Sequence, residues 1–254
     1  AAPRKGRRRT ASDGSSSNED WTPALESDIH AVAVEAGLPA ACADAMVEAA
    51  RKGRVSSNPG VLLAQLLRLQ SGLEGRMPKR VLVALLRTWP GLVAHQSDTV
   101  AWHWEELVDG WGEPEATAMV MRAPSLLTTP PFTVWSHLDD LAVGLDIDLE
   151  GARAVALKHP KLLTGCPDAV GERLQELTAI LMMPAAQVQR LVTSQPSLLT
   201  YYPSTLDHNL TAMAACLGTS KARAARVVSR APALLMLSQD TFAAKLEGLA
   251  SLLG

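Results

Sequence analysis

Three basic side chains share one register in this chain: Arg122, Lys158 and Arg230 each stand two residues before a proline that opens a recurring phrase. Arg190 and Arg226 stand six residues before equivalent prolines, and Arg80, Arg87, Arg153 and Arg223 lie near the same stripe. Positions four apart fall on one face of a helix, so these groups form a ladder of positive charge. The chemistry open to such a ladder is recognition of phosphate oxygens by charge-assisted hydrogen bonds. A second basic group, Arg4, Lys5, Arg7, Arg8 and Arg9, lies in a Ser-, Asn- and Gly-containing stretch that ends before Trp21. The competing reading of the ladder is an ordinary solvated helix face, and the residues alone leave both open.

Other reactive side chains do not converge. The six histidines, His30, His95, His103, His137, His159 and His208, show no paired metal-ligand spacing. There is no Gly-x-Ser-x-Gly elbow, and Gly218-Thr-Ser-Lys221 lacks the upstream glycine of a phosphate loop. Cys42, Cys166 and Cys216 are odd in number and far apart, which suits small core residues in a reducing compartment. The expectation is a binding protein: no enzyme, no metal, no cofactor and no small-molecule substrate. No apolar stretch approaches the ~18 residues that span a bilayer, so no membrane partner is expected.

The elements that carry the ladder repeat. Pro90, Pro124, Pro160, Pro196 and Pro232 open Pro90-Gly-Leu-Val, Pro124-Ser-Leu-Leu, Pro160-Lys-Leu-Leu, Pro196-Ser-Leu-Leu and Pro232-Ala-Leu-Leu. A period of about 36 residues is the mark of a solenoid. Counted from each proline, apolar residues recur at +10, +14, +17 and +21, as in Val134, Leu138, Leu141 and Leu145. These steps of four, three and four define one face of an amphipathic helix, helix A. Counted backward, apolar residues at −4, −5 and −8, as in Val192, Leu191 and Val188, define helix B.

Punctuation fits two helices and a short turn per unit. Gly112, Gly218 and Gly254 close helix A; Pro114, Asp148, Pro184 and Ser220 open helix B. The anchor proline stops helix B, the Leu-Leu pair makes a buried turn, and Pro131, Pro167 or Pro203 restarts helix A. The class is all-α, an α-solenoid. Trp104 and Trp111 fall on the core stripe, whereas Trp102 and Trp135 fall off it, and Tyr201 and Tyr202 are expected to be buried in an inter-helix loop.

On these residues the chain resembles the mitochondrial transcription termination factor-like (mTERF) family of organellar helical-repeat proteins. That family has a Leu-x-x-x-Pro landmark followed by Pro-x-Leu-Leu. Here the landmark reads Leu86 to Pro90, Val120 to Pro124, Ala156 to Pro160, Val192 to Pro196 and Val228 to Pro232, so only the first keeps the leucine. The resemblance covers about residues 78–254 and implies nucleic-acid binding in a mitochondrion or, alternatively, a chloroplast.

Three regions follow. Residues 1–20 form a basic, Ser-rich tail of disordered composition that resembles a transit-peptide remnant. Residues 21–77 are degenerate opening hairpins, with Pro59-Gly-Val-Leu as a worn anchor phrase and a break at Gly37. Residues 78–254 are the regular repeats. Without the tail the chain carries 19 basic and 23 acidic side chains, an unusual balance for a domain that grips phosphates unaided. The favoured reading is an RNA-binding structural component of an organellar ribosome, with rRNA and ribonucleoprotein proteins as partners. A transcription factor on double-stranded DNA and a protein-interaction scaffold are the alternatives.

Overall fold

The computed structural model describes residues 21–165 and 170–253, with no side-chain placement at Leu253. The basic tail, Cys166, Pro167 and Gly254 therefore lie outside the described residues. Among those described there are thirteen α-helices and no strand. The first four are α1 (Pro23–Glu35), α2 (Ala40–Arg51), α3 (Pro59–Leu73) and α4 (Lys79–Thr88). The regular repeats then give α5 (Ser97–Trp111), α6 (Glu113–Arg122), α7 (Pro131–Leu145), α8 (Leu149–Lys158), α9 (Val170–Leu181) and α10 (Ala185–Ser194). The last three are α11 (Pro203–Cys216), α12 (Lys221–Val228) and α13 (Gln239–Leu253).

Each anchor proline opens a 3₁₀ turn of four or five residues, such as Pro124–Leu127 and Pro160–Leu163. The residue before it repeats one backbone conformation five times over. Trp89, Ala123, His159, Gln195 and Ala231 have φ between −131° and −142° and ψ between 73° and 77°. Proline's Cδ closes the α region to its predecessor, so helix B must stop there. The turn then drops its leucines inward: Leu92, Leu126, Leu127, Leu163, Leu198 and Leu235 are all buried.

Packing runs between neighbours. The odd-numbered helices from α1 to α13 stack in one row, with α3 against α5, α5 against α7, α7 against α9 and α11 against α13. Helices α2, α4, α6 and α8 stack in a second row, joined to the first by hairpins such as α5–α6 and α7–α8. The core is the seam between rows. At +10 every residue is buried, from Val100 to Phe242, and at −4 and −8 every residue from Leu82 to Val228 is buried.

Two local expectations change. Pro59 does not open a buried turn; it is the first residue of α3, capped by Asn58 Oδ1, which accepts from Val61 N–H at 3.1 Å. Asn58 supplies the cap that a helix start needs, so the phrase begins a helix A instead. Tyr202 is 76% exposed at the start of α11, while Tyr201 is half-buried. Position +22 carries positive φ throughout: Gly112 83°, Asp146 49°, Met182 52° and Gly218 57°. The geometry that ends helix A is thus fixed by the hairpin, and two repeats meet it without glycine.

Candidate nucleic-acid interface

Charge divides between the two rows. In the regular repeats the helix-A members, α5, α7, α9, α11 and α13, contain eleven Asp or Glu and only Arg173 and Lys245 as bases. The helix-B members, α4, α6, α8, α10 and α12, contain ten Lys or Arg and only Glu113, Glu115 and Glu150 as acids. The formal net charge of −2 for the whole chain conceals this partition. It arises because the outward face of each helix is free to take any polar residue, and helix A and helix B took opposite signs.

The ladder residues do not stand in equivalent surroundings. Arg122 donates from Nη1 to the Leu157 carbonyl at 2.7 Å, and Lys158 donates from Nζ to the Thr193 carbonyl at 3.2 Å. Both acceptors sit in the last turn of the next helix B, where carbonyls lack helical partners and a cation is favoured. These two groups therefore clip consecutive repeats together. Arg153 reaches back to the Gly110 carbonyl at the end of α5, lies 5.2 Å from the Trp111 ring centroid, and comes within 3.5 Å of Glu150. Arg80 pairs with Glu113 at 2.8 Å on an exposed surface, an arrangement worth little in water.

The rest of the ladder is exposed. Arg87, Arg190, Arg223, Arg226 and Arg230 make no side-chain hydrogen bond or ion pair among the described residues. Arg190 and Lys158 border one open groove between α8 and α10, together with Thr193 and Ser194. Arg226 lies in the last turn of α12, and Arg230 lies in the turn two residues beyond its end, so the four-residue spacing does not put this pair on one helix face. What this surface can do chemically is place several guanidinium groups against an anionic backbone without first breaking internal bonds. Arg4, Lys5, Arg7, Arg8 and Arg9 lie outside the described residues.

A recurring polar device of the fold lies elsewhere, at +13 of the first four regular repeats. His103 Nδ1 donates to the Leu127 carbonyl at 2.9 Å, and His137 Nδ1 donates to the Leu163 carbonyl at 2.9 Å. Arg173 donates to the Leu199 carbonyl and, at 3.3 Å, to that of Tyr201; Asn209 Nδ2 donates to the Leu235 carbonyl at 3.0 Å. Four donors of three chemical kinds meet the same acceptor, the second apolar residue of the next Pro-x-Leu-Leu turn. A buried carbonyl at a turn end must find a donor, and the neighbouring helix A supplies it. The signal was present in sequence as a polar residue wedged between the apolar +10 and +14 positions. Reading the histidines only for metal spacing passes over it.

Burial holds the His103 imidazole below its ordinary titration range, partly opposed by its bond to the Leu127 carbonyl. His159 is lowered by burial and by Lys161, and its Nε2 is buried with no partner among the described residues. Burial raises the Cys42 thiol, whose Sγ lies 3.4 Å from the Val83 carbonyl, so it behaves as an inert core group. Trp111 and Trp135 stack with centroids 4.6 Å apart, which assigns Trp135 a packing role, while Trp102 remains half exposed. No group of three or more potential metal ligands forms among the described residues. Comparison with protein-family models and with curated proteins returns no match to this chain.

Proposed function

We propose that the helix-B row binds a nucleic-acid backbone, and that the chain serves as an RNA-binding structural component of an organellar ribosome. The observation that carries this reading is the charge partition: the acidic excess that argued against phosphate binding belongs to the other row. The resemblance to mTERF-like repeats supplies the organelle, with the mitochondrion first, and the tail of Arg4, Lys5, Arg7, Arg8 and Arg9 supplies a second set of cations. Flexible basic segments order on structured RNA by exchanging chain entropy for phosphate contacts.

The test replaces Arg190, Arg226 and Arg230 together by alanine in the full chain. Binding to a labelled RNA hairpin and to a DNA duplex of matching sequence is followed by anisotropy across a salt series. The salt slope is expected to fall by about 0.7–0.9 for each phosphate no longer neutralised, with the circular dichroism spectrum unchanged. An unaltered slope returns these residues to a solvated face, and a preference for the duplex favours the transcription-factor alternative.

A further inference from the structure

The acidic row carries exposed apolar side chains as well as charge. Phe132 and Val143 on α7 are 83% and 82% exposed, and Trp102 on α5 is 50% exposed. Phe132 and Val143 are eleven residues apart, three helical turns or about 16 Å, and therefore lie on one stripe of α7. Asp139, seven residues from Phe132, is exposed on that stripe between them. Trp102 occupies on α5 the repeat position that Ser136 occupies on α7, one turn along from Phe132, and the two helices pack side by side.

Around these anchors stand carboxylates in register. Glu106, Asp140 and Glu176 share position +16 on three consecutive helices, α5, α7 and α9. Asp109, Asp139 and Glu172 add to the same outer face, and none of the six has an ion-pair partner among the described residues. Glu105 shows the contrast: Arg76 holds it at 2.7 Å and also approaches Asp98 at 3.8 Å. Unpaired like charges kept side by side repel one another. Large apolar groups held in water among them gain nothing from the fold.

The geometry points to a docking surface for a basic amphipathic segment of a partner protein, with apolar side chains covering Phe132, Trp102 and Val143 and Lys or Arg meeting the surrounding carboxylates. Charge complementarity selects the occupant. A nucleic acid or an anionic lipid surface is repelled by this face. The chain's own residues 1–20 supply cations but no large apolar side chain to cover the anchors. The inference is independent of the nucleic-acid reading of the other row, because it uses different helices and the opposite charge.

The test uses the full chain and a fluorescein-labelled Lys/Leu peptide with leucines at helical i, i+3, i+4, i+7 spacing. Its comparators are a shuffled peptide of equal composition and a peptide of residues 1–20. The ordered peptide is expected to bind at least about tenfold more tightly than the shuffled one, because burial of an apolar stripe adds to a charge attraction common to both. Asp139→Lys with Glu176→Lys should weaken it by a similar factor. Phe132→Ser with Val143→Ser should remove the advantage over the shuffled peptide. Arg190→Ala with Arg226→Ala, on the other row, should leave it intact. Asp139→Asn with Glu176→Gln repeats the charge arm should the reversal disturb folding, which circular dichroism monitors. Equal binding of ordered and shuffled peptides, indifference to the α7 substitutions, or tighter binding of the residue 1–20 peptide would each overturn the proposal.

Discussion

Leu141 and Leu249 occupy the same position, +17, in the second and the last of the regular repeats, yet Leu141 is 1% exposed and Leu249 is 57% exposed. Position −5 shows the same contrast: Met119 and Val155 are fully buried, whereas Val227 is 40% exposed. The residues obey one pattern and differ only in their neighbours. Leu141 lies on α7 between α5 and α9, while α13 packs on α11 and no described helix follows it. In a stack of this kind burial belongs to the interface between repeats, and a repeat pattern reports a residue's eligibility for the core without deciding its burial.

The sharpest way to break that comparison is one substitution made twice. Leu141→Ala is expected to cost about 2–5 kcal/mol, the range for emptying a packed site, and Leu249→Ala less than about 0.5 kcal/mol. Urea unfolding of the two variants measures both, and equal losses would show that something covers α13 in solution. Gly110→Ala sharpens the view of the interior repeats. A Cβ at Gly110 would run into the Cη2–Cζ2 edge of the Trp135 ring, whose face is already stacked on Trp111. Alanine normally favours a helix, but here overpacking should destabilise by about 1–3 kcal/mol. A stabilised variant would mean that the ring moves aside without loss.

Met182→Gly has a smaller effect of the opposite sign. Met182 holds φ at 52° at the end of α9, with its side chain mostly exposed, so glycine relieves backbone strain at small packing cost. A gain of about 0.5–1 kcal/mol is expected, read as a raised denaturation midpoint. The mildest test concerns acid. His103 and His159 are held below their ordinary range when folded, so the unfolded chain binds protons more readily than the folded one. Their contribution is retained above the ordinary imidazole range and lost as pH falls from there towards the folded values. Thermal midpoints should drop on passing from neutral to mildly acidic buffer. His103→Asn, which copies the donor that Asn209 already uses, should shrink that drop while keeping the bond to the Leu127 carbonyl. An unchanged acid response would assign the sensitivity to other groups.

The period, the two helices, the buried Leu-Leu turn and the stop before each proline were all legible, because each depends on residues within a turn or two along the chain. Met77-Pro78 and Met183-Pro184 show how far this reaches: Pro78 and Pro184 precede α4 and α10 with nearly the same φ, −58° in both. Pro59 shows its limit. A Pro-Gly-Val-Leu phrase fits a turn or a helix start, and the Asn58 cap together with the packing of α3 on α1 and α5 chose the helix.

By itself the sequence determined that this protein is a helical array with a shared seam, since a repeated apolar period can be satisfied only by stacking like units. It also placed the basic residues on helix B. Only the tertiary structure decided which of them remain available. The partners of Arg122, Lys158 and Arg153 are backbone carbonyls 35 or more residues away, and a carbonyl has no signature in the sequence. The same reason explains His103, His137, Arg173 and Asn209, whose side chains differ while their acceptor stays fixed. The physical demand came from the turn, which presented the same carbonyl in four successive repeats, and a donor long enough to reach it met that demand each time.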